Sequence, residues 1–308
     1  MEGVLIFGVS GFVGPYLAQE FIDGGYIVYG SDIVKSDSIP SDVVFVQADL
    51  LDPIAVNNVI CQLKPSIIIN LAAVSSVGYS WKIPQQTVEV NIVGTLNILE
   101  SAKNLAPMPK ILLIGSSEEY DISDKPIDEK TILRANNPYG ISKVAQERFA
   151  NIYKVQYGMS IYYVRSFNHT GVGQKESFVL PSFCKQAADI EKSGKPGVIK
   201  VGNLLAKRDF GHVKDLVHAY RLIVESPYCD TVYNVGTGKA HSLREMLNYI
   251  VSLCNQPITI EVDPERVRPI DNPIICCDAS KIKEELGWAP KYKVFDALKE
   301  MFEYYLRN

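Results

Sequence analysis

No stretch of this 308-residue chain carries the roughly 20 consecutive apolar residues that cross a bilayer, so no membrane partner is expected. The opening residues MEGVLIFG enter an apolar strand with no basic segment ahead of them, which argues against a secretory leader and makes the cytoplasm the expected compartment. Cationic excess is missing too: 31 Lys and Arg stand against 35 Asp and Glu, a formal charge of −4. Such a balance supplies no basic stripe to neutralise a phosphate backbone, which sets nucleic acid aside. The six cysteines (Cys61, Cys184, Cys229, Cys254, Cys276 and Cys277) form no C-x-x-C pair. Reduced core thiols are therefore expected, with no zinc or other metal site. Internal repeats and low-complexity segments are absent as well.

What is present is an ordinary globular composition, 47% hydrophobic and 21% charged, in a chain long enough for one large α/β domain with a smaller lobe. The runs VLIFGV, YIVYGSD, VVFVQAD, SIIINLAA, KILLIGSS and SIYYVRSF alternate with helical stretches, notably 86–104 and 138–157. That alternation is the pattern of βαβ units and a parallel sheet with helices on both faces. After Arg165 it dissolves, apart from a last strand-like run, TVYNVGTG. The reading is a doubly wound, Rossmann-type dinucleotide-binding domain, residues 1–165 plus about 209–239. A smaller substrate-binding lobe takes about 166–208 and 240–308.

The first strand runs into Gly8-Val-Ser-Gly11-Phe-Val-Gly14 and then a helix. Glycines there permit a tight turn and close approach of the backbone, and the helix N-terminus offers free N–H groups to a pyrophosphate. Gly8, Gly11, Phe12, Val13 and Gly14 are thus candidate cofactor contacts. Asp32 ends the second strand, where a carboxylate accepts hydrogen bonds from ribose hydroxyls. This favours NAD(H), while Ser31 and Lys35 nearby leave NADP(H) open. The G-x-x-G-x-x-G spacing resembles the extended branch of the short-chain dehydrogenase/reductase superfamily. By that resemblance Asp49 and Leu50 belong to the adenine side of the cofactor, and Leu71, Ala72 and Ala73 to the nicotinamide side.

Tyr139-Gly-Ile-Ser-Lys143 is the most specific signal. Four residues apart on a helix, Tyr139 and Lys143 share a face, and Asn137-Pro138 supplies an N-cap and first-turn proline. A phenol titrates near 10, so the expectation is that the Lys143 ammonium lowers it toward neutrality. The resemblance gives Lys143 a second role, holding the nicotinamide ribose. In Gly115-Ser116-Ser117-Glu118-Glu119-Tyr120, Ser116 matches the hydroxyl that orients the reacting oxygen in this superfamily. Glu118 stands where related 4,6-dehydratases keep a general base, so it is either a base or a group that binds a sugar hydroxyl.

Beyond the sixth strand, Arg165-Ser-Phe-Asn168-His169-Thr-Gly-Val-Gly173 resembles the R-x-F-N-x-x-G-P-G loop of extended members, with Val172 in place of proline. Val201-Gly202-Asn203 through Arg208-Asp209-Phe210 resembles their G-x-x-x-x-x-R-D-F stretch, and Arg268 matches a second phosphate-binding arginine. The resemblance spans residues 3–306 and is greatest to bacterial GDP-4-keto-6-deoxymannose reductases, with GDP-mannose 4,6-dehydratases as neighbours. It implies a GDP-linked sugar substrate contacted by Ser75, Ser76, Glu118, Asn168, Val179, Lys185, Asn203, Arg208 and Arg268. The dehydratases carry a longer, arginine-rich loop after their Asn-His pair, where this chain has Thr170-Gly-Val-Gly-Gln174. Reduction of a C4 ketone, giving a deoxyhexose nucleotide such as GDP-rhamnose for glycan synthesis, is the expected activity. The alternatives are GDP-mannose dehydration or another nucleotide-sugar epimerase or dehydratase. An NAD-binding regulator without turnover is the third class. Apolar residues on several faces of 86–104 (Val90, Ile92, Leu96, Ile98, Leu99) and 138–157 (Val144, Phe149, Ile152, Tyr153) suggest a homodimer through a four-helix contact, as in extended family members.

Overall fold

Uncharged runs of Val, Ile, Leu and aromatics suit strands covered on both faces. The computed structural model describes residues 2–229, 231–266 and 272–308. There the six N-terminal runs form β1 (Gly3–Phe7), β2 (Ile27–Asp32), β3 (Val44–Gln47), β4 (Ile67–Asn70), β5 (Lys110–Ser116) and β6 (Ile161–Ser166). Three short strands follow, β7 (Asn168–Thr170), β8 (Gly197–Val201) and β9 (Lys207–His212), before the TVYN run forms β10 (Val232–Val235). The principal sheet has seven strands in the order β10-β6-β5-β4-β1-β2-β3, and every pairing in it is parallel. Strand order reverses at β1, and ligands of such sheets bind beyond the carboxyl ends there. Gly8, Asp32, Leu71 and Ser116 all lie at those ends.

Helices cover both faces. On one side, Leu17 and Phe21 of α1 (Gly14–Asp23) enter a single core with residues 213–224. The other core includes Val56 and Ile60 of α2 (Pro53–Leu63). A four-residue turn, α3 (Val77–Ser80), precedes the long stretch read as one helix over 86–104. That helix starts two residues earlier and ends two sooner, as α4 (Pro84–Val88) and α5 (Gly94–Ala102), with a π-helical turn over Glu89–Val93 between them. The turn has an identifiable cause. Asn91 points inward, its Oδ1 accepting the Val74 N–H at 2.8 Å and its Nδ2 donating to Ser142 Oγ at 2.8 Å, and π-bulges recur where a helix presents such a group. Ile98 and Leu99, expected on an outer face, are wholly buried in the sheet core. The exposed large apolar side chains here are Val88 and Val93, and on α6 (Pro138–Tyr157) Ile141, Ile152, Val155 and Tyr157.

The remaining helices are α7 (Val179–Ser193), α8 (Val213–Glu225), α9 (Leu243–Ser252), α10 (Ser280–Leu286) and α11 (Val294–Arg307). Leu180 and Phe183 of α7, Leu247 of α9 and Leu298 and Phe302 of α11 form a separate apolar cluster. β8 pairs with β12 (Ile258–Val262), and β9 pairs with β7, with β11 (Ala240–Ser242) and with β13 (Ile274–Ile275). Asp209, fully buried in β9, accepts the N–H groups of Thr237, Gly238 and Cys277, which ties the turn after β10 to this layer. Among the described residues no helix is long and apolar enough to cross a membrane.

Candidate active site

The glycine loop is shaped by close contacts. Gly8 has φ +80°, and a Cβ on it would lie 2.6 Å from the Ala72 nitrogen; one on Gly14 would lie 2.1 Å from the Val9 carbonyl oxygen. Both contacts draw the loop onto the ends of β1 and β4. Asp32 organises it from the side, accepting the Ser10 N–H at 3.0 Å and the Ile33 N–H at 2.8 Å. The Phe12 and Val13 amides find no acceptor among the described residues. Two unsatisfied donors at the head of α1, beside backbone left bare at Gly8, Gly11 and Gly14, fit the pyrophosphate of a dinucleotide. Asp49, exposed, accepts the Leu51 N–H, and Leu50 is buried beside Gly94. Leu71, Ala72 and Ala73 follow β4, where Asn70 Oδ1 holds the Ala72 N–H.

At the end of β5 the chain turns through residues 117–119 and meets the head of α6. Asn137 caps that helix, accepting the Gly140 N–H at 2.9 Å, and Pro138 opens it, as the sequence suggests. A Cβ on Gly140 would lie 2.3 Å from the Glu118 carbonyl oxygen, so glycine lets the helix rest on the turn. Ser116, Tyr139 and Lys143 are brought together there at 7, 9 and 3% exposure. Ser80 accepts the Tyr139 N–H at 3.2 Å. Lys143 Nζ donates to the Ile114 carbonyl at 2.7 Å and to Gln146 Oε1 at 3.1 Å, and lies 5.9 Å from the centre of the Tyr139 ring. Gln146 in turn donates to Thr95 Oγ1, which also accepts from Asn70.

The electrostatics differ from expectation. Burial pushes the Tyr139 phenol well above its usual value, opposed by hydrogen bonding to Ser116 and reinforced by Glu119 and Glu118. Burial also lowers Lys143 to about 8, with Glu119 pulling the other way. Lys143 is not among the groups that lower the phenol: desolvation disfavours the charged form of each residue. The phenol is neutral and loaded as an acid.

Glu118 is half-buried and accepts from Asn137 Nδ2 at 2.9 Å. Of the other sugar-side residues, Ser75 is exposed and Ser76 caps α3. Asn168 lies in β7, and Val179 opens α7. Lys185 pairs with Asp189 at 2.5 Å, Asn203 Oδ1 accepts the Leu205 N–H, and Arg208 Nη1 donates to the Asn272 carbonyl at 2.6 Å. Arg268 lies outside the described residues. Ser80, Asn91, Thr95 and Gln146, which steady the site from below, were not singled out by the sequence. The available signal was polar residues recurring at Asn91, Thr95 and Gln146 on helix faces that are otherwise apolar.

Comparison with known proteins agrees with this geometry. GDP-6-deoxy-D-mannose reductase of Pseudomonas aeruginosa is 28% identical over 301 residues, covering 97% of this chain and 95% of that protein. GDP-mannose 4,6 dehydratase 2 of Arabidopsis thaliana is 30% identical over 309 residues, covering 93% and 82%. The solved structure of RMD from Pseudomonas aeruginosa complexed with NADPH superimposes with a TM-score of 0.83 at 25% identity, covering 100% of this chain and 98% of that one. With residues 5–301 matching the family model described as GDP-mannose 4,6 dehydratase, the chain belongs to the GDP-mannose 4,6 dehydratase family.

Proposed function

We propose that the protein is a cytoplasmic oxidoreductase that reduces the C4 ketone of a GDP-4-keto-6-deoxyhexose with a reduced nicotinamide cofactor. The carrying observation is the loop after Asn168-His169. It closes on itself, Thr170 Oγ1 bonding Gln174 Oε1 at 2.7 Å and the Gln174 N–H donating to the Gly171 carbonyl, and it holds no arginine where the resemblance gives dehydratases several. Tyr139 agrees, because a buried neutral phenol is set to give a proton rather than take one.

The bound cofactor supplies hydride. Tyr139 donates its proton to the alkoxide developing at C4, and the Ser116 hydroxyl holds that oxygen in line with the phenol. The Lys143 ammonium stabilises the phenolate left behind and, by the family resemblance, holds the ribose. Gly8, Gly11, Phe12, Val13 and Gly14 would carry the pyrophosphate and Asp32 the adenosine ribose. The Asp32 carboxylate favours NADH over NADPH, which the ratio of specificity constants for the two cofactors tests. Arg208, Asn168 and Asn203 would hold the nucleotide diphosphate in a lobe of about 166–208 and 240–308. The exposed apolar residues of α4–α6 would pair across a two-fold axis; a monomer by light scattering at micromolar concentration would contradict this.

A second reading, dehydration of GDP-mannose, is favoured by Glu118, a half-buried carboxylate beside the catalytic turn. The two part on one assay. Net loss of reduced cofactor with the 4-keto-6-deoxy nucleotide supports reduction; loss of water from GDP-mannose with no net cofactor change overturns it.

A further inference from the structure

The run Gly115-Ser-Ser-Glu118-Glu119-Tyr120 sets two neighbouring carboxylates in opposite surroundings. Glu118 faces the site, whereas Glu119 turns beneath it with no exposed surface. Glycine at 115 makes the room: a Cβ there would lie 2.3 Å from Glu119 Oε1. That oxygen accepts the Ser116 N–H at 2.7 Å, while Ser116 Oγ accepts the Glu118 N–H at 3.2 Å. The reciprocal bonds form a capping box, which fixes the backbone of Ser116 and so the direction of its hydroxyl.

The second oxygen, Oε2, has no hydrogen-bond partner among the described residues. It lies 3.9 Å from Nε of Arg165, but that guanidinium is already gripped by Glu147 through Nε at 2.9 Å and Nη2 at 2.7 Å. Its Nη1 donates to the Tyr120 hydroxyl and the Glu129 carbonyl. Two carboxylates thus converge on one guanidinium, which Glu147 already occupies while Glu119 Oε2 stands 3.9 Å from its Nε. The titratable and charged groups facing Glu119 are Tyr139, Lys143 and Glu147 from α6, and Tyr163 and Arg165 from β6. A second buried anion there would meet an anion with a lone pair, whereas one proton on Oε2 turns that contact into a charge-assisted hydrogen bond. Burial and Glu147 both push the Glu119 carboxyl above the usual range, in the same direction.

We infer that Glu119 is a protonated positioning residue: its acid O–H donates to Glu147, and its other oxygen holds Ser116 so that the hydroxyl faces the reacting ketone without a negative charge beneath Tyr139. The kinetic part rests on the reductase reading. The protonation itself does not.

Infrared difference spectra between the wild-type protein and Glu119→Gln read that proton directly. A carboxylic-acid carbonyl band at neutral pH, absent from Glu119→Gln, is expected; its absence from the wild type overturns the inference whether or not the protein reduces ketones. In turnover, Glu119→Gln keeps both the acceptor and the donor and is expected to retain kcat within about threefold. Glu119→Leu loses the hold on Ser116, and kcat should fall on the order of a hundredfold with cofactor KM unchanged. Wild-type kcat in Glu119→Leu, or a comparable collapse in Glu119→Gln, contradicts the positioning role. If Glu119→Leu does not fold, the band and the kcat of Glu119→Gln decide alone.

Discussion

Ser116, Tyr139 and Lys143 are buried and held by backbone and by other buried side chains, whereas Asn168, Lys185, Asn203 and Arg208 lie half-exposed. The second group has surface partners: Asp189 for Lys185, the Leu205 N–H for Asn203, the Lys207 and Asn272 carbonyls for Arg208. Under the proposed reaction the reacting groups of the first region are placed before any ligand arrives, so catalysis there would cost little reorganisation. In the second, each polar group exchanges one partner for another when it takes a ligand, and affinity is what remains after the exchange. Substitutions in the first region should therefore act on kcat and those in the second on KM.

The largest effect is expected from Tyr139→Phe, about a thousandfold in kcat, inside the range for loss of a general acid. Thermal unfolding and cofactor titration should stay near wild type, since the ring remains buried and loses only its hydroxyl. A rate within tenfold of wild type would remove Tyr139 from the proton transfer. Next comes Arg208→Ala, where losing charge-assisted bonds to a diphosphate should raise KM for the nucleotide sugar by about ten- to a hundredfold, with kcat changed by only a few-fold. A fall confined to kcat would break the contrast between the regions.

The contrast also bears on what could be read in advance. The seven parallel strands were legible because each is a short, largely apolar run rich in β-branched and aromatic residues, and the start of α6 because Asn137-Pro138 is a local signal. The π turn at Glu89–Val93 was not, since it answers a tertiary demand: Asn91 reaches across to Val74 and Ser142. The fate of Glu119 was hidden for a similar reason. The Ser116-x-x-Glu119 spacing is a local capping signal that sets it apart from Glu118, but its burial depends on Arg165 and Glu147, 46 and 28 positions away. The pKa of Tyr139 was misjudged because helical spacing shows the distance to Lys143 and not the desolvation of both groups.

Rising pH sharpens the same point. Lys143, lowered to about 8 by burial, is cationic below that pH and loses its charge above it. The phenolate formed on Tyr139 then loses its stabilising neighbour, so kcat should fall as pH rises through about 8, by up to about tenfold one unit higher. A flat profile from pH 7 to about 9 would show that the ammonium contributes nothing to the step.

The smallest expected effect is that of Glu118→Gln. As a group that binds a sugar hydroxyl, Glu118 contributes one hydrogen bond that an amide can still make, so the loss in ketone reduction should not exceed about tenfold. A thousandfold loss would make the carboxylate a proton-transfer group and restore dehydration as the leading reading.

Isotope tracing decides the central claim. The purified protein is given a GDP-4-keto-6-deoxyhexose and reduced cofactor carrying deuterium at the transferring carbon, and the product is examined by NMR and mass spectrometry. Deuterium bonded to sugar C4, one per cofactor oxidised, is the predicted result. An unreduced ketone in that assay, together with transfer of deuterium from C4 to C6 of labelled GDP-mannose, would contradict it.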